Sequence, residues 1–267
     1  MQHFLWPEGK SKCVTFSYDD GQVHDIRLIQ LLDKYQFKGT FNLNTKNVCS
    51  LDANFIQGDQ LKEVYSNHEI AAHTYHHPFP TKQPHELVWS EFLEDRRELE
   101  ILSGRIIKGM AYPYGCYDTA VMERVAQSGI IYGRTVKSAD NFGLPTNWLE
   151  WNPTCHDKCL TPEKVQEFVD LEPRRGTQLF SIWGHSYEFP QQDRWESFEK
   201  HLELLASHQN LIWAATNMDV YRYAEAARAL EFSVAGGIVR NNSAICVWIQ
   251  VEDDIVSILP GEEVVLN

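Results

Sequence analysis

Seven short, apolar, β-rich runs alternate with helix-patterned stretches, and no other feature of the 267-residue sequence constrains its fold as strongly. The runs are Cys13 to Tyr18, Gly39 to Leu43, Glu69 to Ala72, Lys108 to Tyr112, Ile130 to Arg134, Gln178 to Trp183 and Leu211 to Ala215. Between them, Leu28, Leu31, Leu32 and Tyr35 fall at helical spacing, as do Val121, Met122 and Val125, and Trp195, Phe198, Leu202 and Leu205 within Asp193 to Ser207. Such alternation predicts an α/β chain with a parallel sheet. Seven or eight units in about 220 residues suit a (β/α) barrel better than an open, doubly wound sheet.

The texture changes after Leu230. Phe232 to Val234, Ala244 to Val251, Ile255 to Leu259 and Val264 to Leu266 are separated by turn signals at Gly236-Gly237, Asn241-Asn242, Asp253-Asp254 and Pro260-Gly261. The expected organisation is therefore a catalytic barrel over residues 1–230 and a small antiparallel β appendage over 231–267. No linker-like stretch separates the two, so the appendage is expected to pack directly on the barrel, and its strand edges are able to support homo-oligomer contacts.

A net charge of −13 without a Lys/Arg cluster argues against nucleic acid as a partner. No apolar run has the length of a membrane span, and Met1 to Lys12 lacks the pattern of a secretory leader. Six scattered cysteines resemble intracellular thiol usage more than a disulfide framework. The expectation is a cytoplasmic protein, or a secreted or periplasmic one if a leader has been removed.

Polar residues collect where the predicted strands end: Asp19-Asp20 after the first, His73 after the third, Pro113-Tyr114-Gly115 after the fourth, Arg134 at the fifth and His185 after the sixth. In a parallel barrel all these ends open on one rim, where active sites are built. His73 and His77, four apart in "HTYHH", can reach one ion. With a carboxylate from Asp19-Asp20 they form the ligand set of a hydrolytic zinc site, or of a related divalent metal. Only one aspartate is then needed as a ligand, and the other is free to take a proton from water. Taken alone, "DDG" reads equally well as a solvated turn.

The set "SYDDG", "HTYHH", "AYPYG" and "IWGHS", in this order over Val14 to Ser186, resembles the polysaccharide deacetylases with a NodB-homology domain, carbohydrate esterase family four. That resemblance implies a distorted, incomplete (β/α) barrel that removes acetyl groups from sugars with a divalent metal, usually zinc. It assigns Asp19 as catalytic base, Asp20, His73 and His77 as metal ligands, the Tyr114 N–H as an oxyanion donor, and His185 as the acid that protonates the leaving group. Pro113, Trp183 and Trp151 are the expected substrate contacts. Trp151, with Trp148, either stacks on a sugar ring or fills the core.

Two departures from the family pattern matter. Trp183 replaces an aliphatic residue of the acetyl-methyl pocket and either reshapes that pocket or simply packs into the barrel core. Ala111 stands where many members carry an arginine that pairs with the catalytic aspartate, and Arg134 is expected to reach that carboxylate instead. Asp140 in "SADNF" matches, loosely, the motif that orients the acid histidine. "CHDKC", Cys155 to Cys159, reads as a rim loop with incidental thiols rather than a second zinc site. The expected activity is metal-dependent deacetylation of an N- or O-acetylated carbohydrate. The alternatives are hydrolysis of a small non-sugar amide, cyclic ureide or imide, and a catalytically silent carbohydrate-binding relative.

Overall fold

The computed structural model describes residues 3–172 and 177–266. Its centre is a curled sheet of eight strands: β1 (Lys12–Asp19), β2 (Gly39–Leu43), β3 (Glu69–Ala72), β4 (Gly109–Ala111), β5 (Tyr132–Arg134), β6 (Cys155–His156), β7 (Gln178–His185) and β8 (Ile212–Ala214). They run β5-β4-β3-β2-β1-β7-β6, all parallel, while β8 pairs with the first half of β1. The expected barrel architecture is present. Every one of the seven predicted strands is found, and β6 is an addition to them.

The two ends of the sheet are joined by one stretch of backbone. The Trp151 N–H donates to Gly133 O at 2.9 Å, Thr135 N–H donates to Trp151 O at 2.9 Å, and Thr154 N–H donates to Ser181 O at 2.8 Å. These bonds tie β5 to β7 and curl the sheet towards closure.

All of β1 is buried, and its two faces differ in chemistry. Val14, Phe16 and Tyr18 join the main hydrophobic core, whereas Thr15, Ser17 and Asp19 alternate with them, as the period of two along a strand requires. Each polar side chain of this face has a partner. Thr15 donates to Asn217 Oδ1 at 2.8 Å, and Asn42 donates to Ser17 Oγ and to Asp19 Oδ1, each at 2.9 Å. Further along this face Tyr132, Thr40 and the Met218 N–H all donate to Glu69. Burying such groups without partners would cost several kcal/mol each, on the order of 2–7.

The main helices are α1 (Asp25–Lys34), α2 (His85–Ser103), α3 (Thr119–Gln127), α4 (Pro162–Asp170), α5 (Trp195–Ala206) and α6 (Asn217–Arg228). Their ends follow capping chemistry. Asp118 and Thr161 accept from the N–H groups of Val121 and Lys164, Thr216 and Asp219 form a capping box, and Gly104 takes the left-handed position after α2. Sequence periodicity does not reveal α2, the longest of them. Its buried positions are Val88, Phe92, Asp95, Leu99 and Ser103, and two of these are polar, so the apolar stripe is broken.

The appendage forms two small antiparallel sheets. One joins Val247–Val251 to Asp254–Ile258 and to His3–Leu5, and the other joins Glu231–Phe232, Ile238–Arg240 and Glu263–Val265. The chain's N-terminal strand thus belongs to the appendage sheet, which a division at residue 230 does not anticipate. Tyr223 of α6 pins the junction, donating to Leu5 O at 2.6 Å and accepting from the Trp248 N–H at 3.0 Å. Among the described residues no helix is long and apolar enough to cross a membrane. All six cysteines are free thiols.

Candidate active site

Strand register builds the site. Asp19 lies abreast of Asn42 on one side and His185 on the other, and Arg134 lies abreast of Ala111. The strand ends open into a cleft of about 700 Å³ lined by Asp19, Asp20, His73, His77, Trp183 and His185, with Gln22, Phe55, Tyr114, His156, Tyr187 and Glu188 among its other walls.

Asp20, His73 and His77 offer one ligand atom each, all within 4.8 Å of one another. The two Nε2 atoms face each other at 3.1 Å, and Asp20 Oδ1 stands 3.9 Å from both. The tautomer of His73 follows from its other nitrogen: Nδ1–H donates to Ala111 O at 2.8 Å, leaving the Nε2 lone pair directed at the cluster. Burial and the neighbouring His73 hold His77 down to about 4, so its lone pair is free at neutral pH. Two imidazole lone pairs and a carboxylate oxygen converging on one point fit a divalent cation of the zinc type.

The backbone is bent to bring these groups together. Asp20, Thr74, His77 and Tyr114 all have positive φ, between 56° and 80°. Non-glycine residues seldom adopt this region, at a cost of order 1–3 kcal/mol each. The His73 segment is held from behind by Asp95, which accepts from His73 N–H at 2.9 Å and from the Thr45 N–H and hydroxyl at 2.8 and 2.7 Å. Asn44 adds a bond to His73 O at 2.6 Å.

Asp19 is buried and paired. Arg134, itself wholly buried, donates from Nη2 to Asp19 Oδ1, and Asn42 donates to the same oxygen. Burial raises the carboxyl, but Arg134, His73 and His185 outweigh it and hold it at about 2. Asp19 Oδ2 is left facing the cluster, 3.8 Å from His73 Nε2. Trp183 lies under the guanidinium, 4.7 Å from its ring centroid to Arg134 Cζ, and forms one wall of the cleft. Tyr114 stacks on Phe79 at 3.9 Å and borders His77 at 4.5 Å.

The sequence-derived candidates thus divide. Asp19, Asp20, His73, His77, Tyr114, Trp183 and His185 meet in the cleft, with Arg134 directly behind Asp19. Trp151 does not line it: its side chain is buried between Tyr132 and Trp148, and its backbone closes the barrel. Pro113 is also buried and lies outside the cleft lining, where it shapes the turn that carries Tyr114. Asp140 is largely exposed and paired with Lys164 at 3.0 Å, remote from His185 in its contacts. The carboxylate beside His185 is Glu188, with Oε1 3.5 Å from Nδ1.

Sequence reasoning missed Asn42, Asp95, His156 and Glu188. Glu188 follows His185 by three residues, a closeness open to inspection in the sequence. Asn42 and Asp95 carry no local signal, because each acts on a residue far away in sequence. His156 is buried against Trp183 at 4.5 Å between ring centroids, so the rim-loop reading of "CHDKC" fails for that residue.

Comparison with known proteins shows that this architecture is the fold of the family 4 carbohydrate esterases. The family 4 carbohydrate esterase of Streptomyces lividans, solved in complex with acetate, superposes with a TM-score of 0.52 at 15% identity, over 77% of this chain and 93% of that one. A family 4 pseudoenzyme from Bacillus anthracis does so with a TM-score of 0.53 at 15% identity, over 79% of this chain and 65% of that one. At such identities the likeness is one of fold. Residues 7–133 match the profile of the family described as polysaccharide deacetylase, so the resemblance carried by the motifs holds over this part of the barrel. The peptidoglycan-N-acetylglucosamine deacetylase PgdA of Listeria monocytogenes is 25% identical over 124 residues, 45% of this chain. The match spans a quarter, 25%, of that protein's own length.

Proposed function

We propose that this protein is a divalent-metal-dependent hydrolase that removes acetyl groups from an N- or O-acetylated carbohydrate. The observation that carries the reading is the division of labour between two adjacent carboxylates: Asp20 with His73 and His77, Asp19 with Arg134. A cation held by Asp20, His73 and His77, zinc foremost, would supply Lewis acidity, lowering the pKa of water and polarising the acyl oxygen.

The chain's own groups do the rest. Asp19, kept ionised by Arg134 and Asn42, accepts a proton from the attacking water at Oδ2. The Tyr114 N–H, on its left-handed turn at the cleft edge, is the candidate donor to the oxygen that gains charge as the acyl carbon becomes tetrahedral. His185, abreast of Asp19 on the adjacent strand and lining the same cleft, gives its proton to the departing nitrogen or oxygen. Its own pKa is raised: burial lowers it, but Glu188, Asp19 and Asp20 outweigh burial, so the imidazolium is populated nearer neutrality.

A second reading, hydrolysis of a small non-sugar amide or cyclic imide, is favoured by Trp183, whose indole forms one wall of the cleft. The decisive assay is acetate release from N-acetylglucosamine oligomers, run beside ring opening of cyclic imides, with zinc and then with chelator. The deacetylase reading predicts chelator-sensitive acetate release that Asp19→Asn abolishes. Imide opening alone would favour the second reading, and metal-free glycan binding without turnover would make the protein a silent relative.

A further inference from the structure

On the wall of the same cleft, separate from the Asp20, His73 and His77 group, a second polar cluster is built around Glu188. Its Oε1 lies 3.5 Å from His185 Nδ1, and its Oε2 lies 3.3 Å from His156 Nε2 and 3.5 Å from Arg194 Nη2. Neither His185 Nδ1 nor Glu188 Oε2 is exposed, and neither completes a shorter hydrogen bond among the described residues.

We propose that Glu188 is the positioning residue of this site: it holds the proton of neutral His185 on Nδ1 and so directs Nε2 into the cleft. The inference rests on the acid role assigned to His185 above. Three observations support it. Glu188 opens the short helix Glu188–Gln191 two turn residues after the strand that ends at His185, which sets its carboxylate beside the imidazole. Glu188 is in turn anchored from two other elements. His156 stands between two carboxylates, with Nε2 3.3 Å from Glu188 Oε2 and Nδ1 3.0 Å from Asp157 Oδ1, while Nδ1 also accepts the Lys158 N–H at 3.1 Å. Arg194 donates to Asp157 Oδ1 at 3.1 Å while its other nitrogen faces Glu188. The strand leaves room for this anchor at Gly184, where a Cβ would stand only 2.5 Å from Asp157 Oδ2.

His156, His185 and Glu188 are also spaced as a cation site would be. Arg194 already supplies a positive charge there, 3.5 Å from Glu188 Oε2, so the cluster is occupied by an ion pair of the chain's own groups. The 3.5 Å contact has the length common for catalytic hydrogen bonds before substrate binds. In turnover, the Nε2–H bond of the His185 imidazolium breaks as a new N–H bond forms on the leaving amine. The ring is left neutral with its proton on Nδ1, beside a Glu188 that stays ionised throughout. The groups facing this pair are His156, Arg194, Asp157, Tyr187 and, from the adjacent strand and its end, Asp19 and Asp20.

The test uses the full chain carrying 15N-labelled histidine, with Glu188→Gln and Glu188→Asp. Ring-nitrogen NMR of metal-free protein at alkaline pH is expected to show His185 as the Nδ1–H tautomer in the wild type and in Glu188→Asp, and as a mixture in Glu188→Gln. For zinc-loaded enzyme, Glu188→Gln is expected to lower kcat on an N-acetylglucosamine pentamer by about 10- to 100-fold with KM little changed. Hydrolysis of 4-nitrophenyl acetate, whose leaving group needs no proton, should fall by less than about threefold. An unchanged tautomer in Glu188→Gln, an equal loss on both substrates, or two bound zinc ions falling to one would overturn the proposal. A wild type inactive on both substrates would overturn the deacetylase reading instead, and the tautomer measurement would still decide the role of Glu188.

Discussion

Arg134 reaches Asp19 from a strand that is not its neighbour. Three strands separate β5 from β1 in the sheet, and 115 residues separate the pair in sequence, yet the guanidinium and the carboxylate meet in a fully buried contact. The curl of the sheet makes this geometry available.

Removing Arg134 strands a buried carboxylate. Arg134→Ala is expected to cost about 3–5 kcal/mol of stability and to raise the acidic limb of the activity profile. The sign for Asp19 is that of a depressed carboxyl. Its contribution, on the order of 2 kcal/mol, is present above pH about 4 and is lost as pH falls towards about 2. Urea unfolding of metal-free protein between pH 5 and 2 should show this slope, and Asp19→Asn should flatten it.

Metal binding should depend on Asp20, His73 and His77 and not on the cysteines of "CHDKC". Asp20→Asn or His77→Ala is expected to weaken zinc binding by at least about tenfold, read by calorimetry. Zinc at about a hundred times its Kd should stabilise the wild type by about 2.7 kcal/mol, and chelator should remove that gain. Cys155→Ser with Cys159→Ser should leave both unchanged.

Glu69 carries the opposite pH sign. Burial raises its carboxyl to about 7 despite bonds from Tyr132, Met218 and Thr40. Its protonated form favours the fold, so stability from this group is full below pH about 4.5 and declines as pH rises through about 7. Thermal unfolding across pH 5 to 8 should show a decline that Glu69→Gln diminishes.

Trp183→Leu tests the acyl wall. It should cost about 1–3 kcal/mol, because the indole packs against Arg134 and His156. It should also raise the rate on 4-nitrophenyl propionate relative to acetate by about tenfold, one methylene's worth of discrimination. An unchanged ratio would place the acyl group away from Trp183.

Sequence by itself determined the parallel α/β plan, seven of the eight barrel strands, and the cleft residues at strand ends. These are legible because strand periodicity, turn chemistry and parallel topology are local rules that all point one rim at the solvent. The same rules do not say which groups meet across the barrel. That Ala111 serves through its carbonyl, orienting His73, and that Glu188 rather than Asp140 faces His185, became visible only with coordinates. So did the fate of Trp151, which looks like a substrate platform in sequence but is consumed by closing the barrel. Such pairings depend on distances across the curled sheet, and no local pattern in the chain encodes them.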